Sequence, residues 1–309
     1  MRIAVASGKG GTGKTTVATN LACVASLDGR TVAYIDCDVE EPNGHLFLKP
    51  GRLAGRPVTR PVPRVDESRC TQCGRCGEMC QYSAIVPLGA TVLVYAELCH
   101  GCGGCSLVCP TGAISEVPRE IGTLETGRSG DVLFTRGVLN VGEAMSTPLI
   151  RQVKNASPNA DLTILDAPPG TSCPVIESVR GSDFVLLVTE PTPFGLHDLK
   201  LAVEMVRSLG LPLAVVINRS DTGDRNTWEY CAMQQIRVLA EIPDDRRIAE
   251  AYSRGELACK AVAACRPVFE ELLRRLDDLA KSASSSSAPY ARGNGGSSST
   301  TEGAPEARA

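Results

Sequence analysis

At 309 residues the chain can hold one large α/β domain and a small module, and an apolar share of 43% is enough for a sizeable core. Aromatic residues at 4% and a formal charge of −3 leave neither a base-stacking surface nor a basic field, so nucleic acid and acidic membranes are not expected partners. No apolar run approaches the roughly 20 residues of a membrane-spanning helix, and no charged and apolar leader opens the chain, so a soluble cytoplasmic protein is expected.

The run Ile3-Ala4-Val5-Ala6 reads as a short buried strand, and Val17-Ala18-Thr19-Asn20-Leu21-Ala22 as a helix. Between them stands Gly8-Lys9-Gly10-Gly11-Thr12-Gly13-Lys14-Thr15-Thr16, a G-x-x-x-x-G-K-[ST] loop in the strand–loop–helix context that it needs. Its glycines turn backbone N–H groups inward around a polyphosphate, and the helix N-terminus adds its positive dipole end. Lys14 is expected to reach the β- and γ-phosphates, with the Thr15 hydroxyl on Mg²⁺. The loop reads as a nucleoside triphosphate site.

Lys9 is a second lysine inside the loop, and G-K-G-G-T-G-K-T-T resembles the deviant Walker A motif of the MinD/ParA-like ATPases, a group that includes the nitrogenase iron protein and the Mrp-type iron–sulfur carriers. The resemblance implies an ATPase and a homodimer in which Lys9 reaches the partner's phosphates. A further strand, Thr31-Val32-Ala33-Tyr34-Ile35, ends in Asp36-Cys37-Asp38, where α/β folds place their ligand crevice. By the same resemblance one of these acids orients and helps to activate the attacking water. Asp38 matches best, from its distance to Thr15 and its Cys-Asp pair; Asp36 is the second choice, and a turn-capping role is the plain alternative.

Residues 51–63 shift to Pro, Gly and Arg with little periodicity and read as a linker. Then Cys70-x2-Cys73-x2-Cys76-x3-Cys80 is followed, 29 positions on, by Cys99-x2-Cys102-x2-Cys105-x3-Cys109. Ser83-Ala84-Ile85 is answered by Gly112-Ala113-Ile114, so the stretch is an internal duplication. Two copies of C-x2-C-x2-C-x3-C are the ligand pattern of bacterial two-cluster ferredoxins, in which the fourth cysteine of each run serves the other cluster. One [4Fe–4S] centre is expected on Cys70, Cys73, Cys76 and Cys109, and a second on Cys99, Cys102, Cys105 and Cys80. Isolated zinc suits this crossed spacing poorly, and disulfides do not suit a cytoplasmic chain, for all its 14 cysteines. Gln81 stands where such ferredoxins usually carry a proline that shapes the loop exit.

The ATPase resumes near Glu120, with Gly127-Arg128-Ser129-Gly130 as a flexible turn and a helix opening at Gly142. Asp161-Leu162-Thr163-Ile164-Leu165-Asp166 is an apolar strand tipped by an acid, the arrangement that holds Mg²⁺ through water beside a P-loop. Pro168-Pro169-Gly170-Thr171 matches the switch region of the MinD-like family. Cys173, seven residues past Asp166, matches a cluster-ligand offset of the nitrogenase iron protein, but a small packed cysteine is the plainer expectation. Cys23, Cys37, Cys231, Cys259 and Cys265 lack ligand spacing, and His45, His100 and His197 are scattered. Strands follow at 184–189, 213–217 and 238–242, and the family's adenine-facing asparagine corresponds to Asn218. A closing amphipathic helix has acids balancing its arginines, and 282–309 is expected to be disordered.

The fold class expected is α/β: a P-loop NTPase with a mostly parallel doubly wound sheet (1–62 and 118–281) and an inserted small α+β ferredoxin-like domain (63–117). The function expected is an ATP- and Mg²⁺-dependent dimer switch, slow without its partner, that couples hydrolysis by Lys9, Lys14 and Asp38 to electron transfer. The alternative is an ATP-dependent metallochaperone serving an apo-metalloprotein acceptor.

Overall fold

The computed structural model describes residues 1–286. Among them the strands are β1 (Arg2–Ala6), β2 (Val32–Asp36), β3 (Ala54–Val65), β4 (Ile85–Leu88), β5 (Thr91–Val94), β6 (Ile114–Ser129), β7 (Val132–Leu139), β8 (Leu162–Asp166), β9 (Phe184–Thr189), β10 (Leu213–Asn218) and β11 (Val238–Ile242). The helices are α1 (Lys14–Leu27), α2 (Gly44–Leu48), α3 (Arg75–Met79), α4 (Gly104–Leu107), α5 (Thr147–Asn155), α6 (Cys173–Val179), α7 (Pro193–Ser208), α8 (Asn226–Met233), α9 (Arg246–Ser253), α10 (Ala258–Ala261) and α11 (Cys265–Ser286).

One sheet runs β11-β10-β9-β1-β8-β2-β7-β6-β3; it is parallel from β11 to β7, and β6 and β3 close it antiparallel. In β1 alternate side chains go to opposite faces. Ile3 and Val5 meet α1 and α11 through Leu21, Phe269 and Leu272, whereas Ala4 and Ala6 meet the α5–α7 side through Val175, Leu199 and Val203. Each fully buried Val, Leu, Ile or Phe among them stabilises the fold by about 1.5–3 kcal/mol relative to exposure. Because both faces are covered, the strands read as continuous apolar runs.

α1 is buried over most of its length, and Asn20 ties it down: its amide donates to Thr16 O at 2.7 Å and accepts from Cys259 N–H at 2.7 Å. The P-loop helix is thereby anchored to α10. In register, Asp36 pairs with Asp166 and Val5 pairs with Asp166, so the carboxyl ends of β1, β2 and β8 open side by side. Consecutive strands β1 and β2 are separated there by β8, the kind of crevice in which open α/β sheets bind ligands.

The stretch expected as a linker, 51–63, is instead mostly strand. β3 pairs with β6 from Ala54↔Thr126 to Val65↔Ile114, with Val58, Arg60 and Val62 facing inward. Prolines at 57, 61 and 63 are tolerated because β3 lies at the sheet edge, and they masked the period of two. Residues 127–129, expected as a flexible turn, end β6, and only Gly130 and Asp131 connect it to β7. The helix expected at Gly142 begins at Thr147. Residues 282–286 continue α11, and the rest of the expected tail lies outside the described residues. The 66–113 segment stands at the far end of β3 and β6, with β4 and β5 as its own antiparallel sheet. Among the described residues no helix is long and apolar enough to cross a membrane.

Candidate functional site

The loop 8–16 leaves β1 and enters α1 at the crevice, lining a cleft of about 380 Å³ with Asp38, Glu41, Pro169, Asn218, Asp244 and Tyr252. Two glycines there are sterically required. A Cβ on Gly8 would collide with the Asp198 carbonyl of α7, and one on Gly13, at φ +94°, would collide with the Asn218 amide. Lys14 is 8% exposed at the start of α1. Burial pulls its ammonium below the usual lysine value, while the charges of Asp166 and Asp38 pull the other way, so both acids face it.

Asp166 is 1% exposed. The Tyr34 hydroxyl donates to its Oδ2 at 2.7 Å, and its Oδ1 is buried without a partner. Burial raises its carboxyl, against the lowering effects of the Tyr34 hydroxyl, the Lys14 charge and the Thr15 hydroxyl. An orphaned carboxylate oxygen beside the Thr15 hydroxyl is a donor set that fits Mg²⁺, a hard cation seeking oxygen ligands. Asp36 and Asp38 take separate places. Asp36 is buried, and its carboxylate accepts from Gly44 N–H at 2.9 Å and Asp38 N–H at 3.2 Å, organising the turn. Asp38 lines the cleft, and burial, then the Asp166 charge, push its carboxyl up to about 6, with Lys14 opposing. The switch stretch is stitched to the P-loop: Gly170 N–H donates to Ser7 O at 3.0 Å, and Pro169 lines the cleft.

Lys9 Nζ lies 3.6 Å from Glu190 Oε2, and the same buried carboxyl holds Arg219 Nη1 at 3.2 Å. Asn218, matched to an adenine-facing residue, donates its amide to Thr12 O at 2.9 Å and so braces the loop. Pro243, Ile248 and Tyr252 line the far end of the cleft.

In the 66–113 segment the eight cysteines surround two cavities. Cys70, Cys73, Cys76 and Cys109 line the first; Cys80, Cys99, Cys102 and Cys105 line the second. Repeat-related positions behave alike. Ala84 N–H donates to Cys80 Sγ and Ala113 N–H to Cys109 Sγ, each at 3.3 Å. Burial opposes, but backbone amides hold the Cys80 and Cys109 thiols below their usual value, while burial raises Cys76 and Cys105. Among the described residues no three His, Cys, Asp or Glu side chains converge as on a single metal ion. Thiols that ring a space, with N–H···S bonds aimed at them, fit a polynuclear iron–sulfur group better than a zinc ion, which draws its ligands to about 2.3 Å. Tyr82 and His100 stack at 3.5 Å over the second cavity. Cys173 is exposed at the start of α6; Cys23, Cys37, Cys231, Cys259 and Cys265 are buried.

Tyr34, Glu190 and Arg219 had no motif to announce them. The one available signal was an acid at the carboxyl end of a buried strand, which Glu190 shares with Asp36 and Asp166.

The profile of the CobQ/CobB/MinD/ParA nucleotide binding domain matches residues 3–258. An uncharacterized protein of Methanocaldococcus jannaschii is 32% identical over 259 residues, which cover 83% of this chain and 90% of its own. An iron-sulfur cluster carrier protein of Aquifex aeolicus is 27% identical over 272 residues, 82% of this chain and 60% of its own. The septum site-determining protein MinD of Pyrococcus horikoshii, solved in complex with Mg-ADP, shares the fold at a TM-score of 0.58 and 20% identity, covering 90% of this chain and 96% of that one. With the P-loop, its two facing acids and the parallel sheet in place, the chain belongs to the CobQ/CobB/MinD/ParA nucleotide-binding family.

Proposed function

We propose that the chain is an ATPase whose dimer switch is coupled to electron transfer through two [4Fe–4S] clusters, held in an inserted ferredoxin-like domain (63–117) of a discontinuous ATPase domain (1–62 and 118–281). The observation that carries this reading is the pair of four-thiol cavities borne by β3 and β6, in the same sheet whose β1, β2 and β8 open onto the P-loop cleft. Cys70, Cys73, Cys76 and Cys109 hold one cluster and Cys99, Cys102, Cys105 and Cys80 the other; when bound, they supply one-electron redox chemistry.

The backbone of 8–16 and Lys14 bind the ATP phosphates, while Thr15 and Asp166 hold Mg²⁺. Asp38, as carboxylate, orients the attacking water toward the γ-phosphate. Lys9 exchanges Glu190 for the phosphates of a second copy, which closes the homodimer and keeps the isolated chain slow.

Anaerobic purification followed by iron analysis and EPR, with and without MgATP, tests the reading. About eight irons per chain and a reduction rate or potential that depends on MgATP are expected. Zinc without iron overturns it. A second reading, ATP-dependent delivery of a cluster to an apo-protein, is favoured by the exposure of Cys73, Cys102 and Cys173 and by the carrier protein among the relatives. ATP-dependent loss of iron to an apo-acceptor would put it first.

A further inference from the structure

Arg60 lies on β3 with its side chain 3% exposed, an uncommon place for a guanidinium. It meets Glu143, whose carboxyl is 2% exposed, at 3.4 Å, and Arg119 of β6 approaches the same carboxyl at 2.6 Å. Glu143 stands on the 140–146 loop between β7 and α5, where neighbouring Val141 is fully exposed, so the loop is held down by its acid. Ion pairs this deep contribute little net stability, because desolvation offsets the attraction.

Both ends of this ion triad lead somewhere. Arg60 Nη2 donates to Ala96 O at 3.0 Å, in the short turn that runs into Cys99. Its stem lies against Gly101, where an added Cβ would fall 3.2 Å from Arg60 Cγ, and Gly101 N–H donates to Cys99 Sγ at 3.3 Å. At the other end Glu143 N–H donates to Asn140 O at 3.1 Å, and Leu139 N–H donates to Val39 O at 2.9 Å. Val39 follows Asp38 in the chain and packs over Gly137 of β7. The route from cleft to cavity is contiguous.

We propose that Glu143, with Arg60 and Arg119, is a positioning residue that sets the 96–105 loop, and so the second cysteine cavity, according to the state of the Asp38–Val39 turn. This rests on the reading that one chain carries both ATP and clusters. The route ends at the second cavity, which Cys80 also lines, so the 70–76 loop of the first cavity is left as an internal control.

Hydrogen–deuterium exchange on the anaerobically purified full chain, with and without MgATP, tests it, with iron content measured on the same sample. In the wild type MgATP protects 8–16 and changes exchange at 96–105 by roughly fivefold or more, the low end of ordinary coupling between sites. Glu143→Gln keeps the protection at 8–16 and loses the response at 96–105, with 70–76 unchanged. A merely structural role alters exchange without nucleotide and leaves the MgATP increment intact, which overturns the proposal. Should Glu143→Gln fail to fold, Arg119→Gln, at a side chain 28% exposed, carries the same expectation. Iron and protection at 8–16 with a silent 96–105 loop in the wild type overturn the strut alone. Absence of iron, or of protection at 8–16, overturns the functional reading and the strut with it.

Discussion

The nucleotide cleft and the cysteine segment are built on opposite principles. The cleft sits on strands whose apolar side chains, Ile3 to Ala6, Leu162, Ile164 and Leu165 among them, are almost wholly buried between two helical layers. The cysteine segment has a small satellite core of Val62, Ala84 and Cys99. Seven of the fourteen exposed large hydrophobic side chains among the described residues, Met79, Tyr82, Leu88, Leu93, Tyr95, Leu98 and Leu107, belong to it. A unit of that size buries too little apolar surface to stand alone, and small modules of this kind draw their stability from metal or covalent staples. In the proposed reading the clusters are the missing core of 66–113, and the ATPase fold needs none of them.

Breaking that contrast should produce the largest effect. Anaerobic chelation of iron is expected to abolish exchange protection across 66–113 while the β1, β8 and β9 amides keep theirs, because ligand binding to the folded module is folding free energy. Calorimetry of the treated protein should keep the main transition. A milder cut is Cys109→Ser, which removes one thiol from the first cavity and is expected to lower iron from about eight to about four per chain. Equal loss from both cavities would contradict the separate lining. Chelated protein that keeps protection throughout 66–113 would show that side-chain packing alone suffices there.

The same contrast explains what the sequence made legible. The P-loop and both cysteine runs are local patterns, in which identity and spacing over a dozen residues state the chemistry. β3, at the sheet edge, and its partner β6 were missed because arginines, prolines and other polar residues interrupt their apolar positions, so the period of two is obscured without either strand being broken. Contacts that cross the sheet left no trace of any kind. Asn218 and Thr12 are 206 positions apart, and the amide on the loop backbone follows from β10 ending against Thr12 and Gly13, just before α1. Glu190 is legible as a strand-end acid, but that it holds Lys9 and Arg219 at once is a fact of packing. In the sequence Asp38 ranks over Asp36 only by spacing and its Cys-Asp pair, and the turn parts them physically by giving Asp36 two backbone N–H donors.

A smaller effect is expected at Lys9. Lys9→Ala should retain ATP binding and lose ATP-dependent dimerisation, because in the proposed reading its cation is the group that reaches the second copy. Glu190→Gln should shift the same equilibrium the other way, by about two- to fivefold, since a part-exposed ion pair contributes about 0.5–1 kcal/mol. Sedimentation at several ATP concentrations measures both. If the two variants move dimerisation in the same direction, Glu190 is not a competitor for Lys9, and the slow turnover proposed for the isolated chain would need another cause.

The smallest effect separates the charge of Asp38 from its place. Its folded carboxyl titrates at about 6, above the unfolded carboxylate value near 3.8, because burial and the Asp166 charge disfavour ionisation. Between those values the folded chain binds more protons than the unfolded one, so this contribution to stability is fully present below about 3.8 and is lost as pH rises through 6. The nucleotide-free protein should therefore melt higher at pH 5.5 than at pH 7.5. The gain should be no more than about 1 kcal/mol, or roughly 2–4 °C for a domain of this size, because the carboxyl is partly solvated. Asp38→Asn should erase that difference and already melt higher at pH 7.5, while hydrolysing ATP about 10²-fold or more slowly. A variant that melts lower at both pH values would make Asp38 a structural acid like Asp36. A variant that melts higher yet hydrolyses ATP normally would leave the water to another group. The proposed role needs the stability gain and the catalytic loss together, since a carboxylate kept ionised against its surroundings at pH 7.5 is one whose charge the folded chain holds for the reaction rather than for itself.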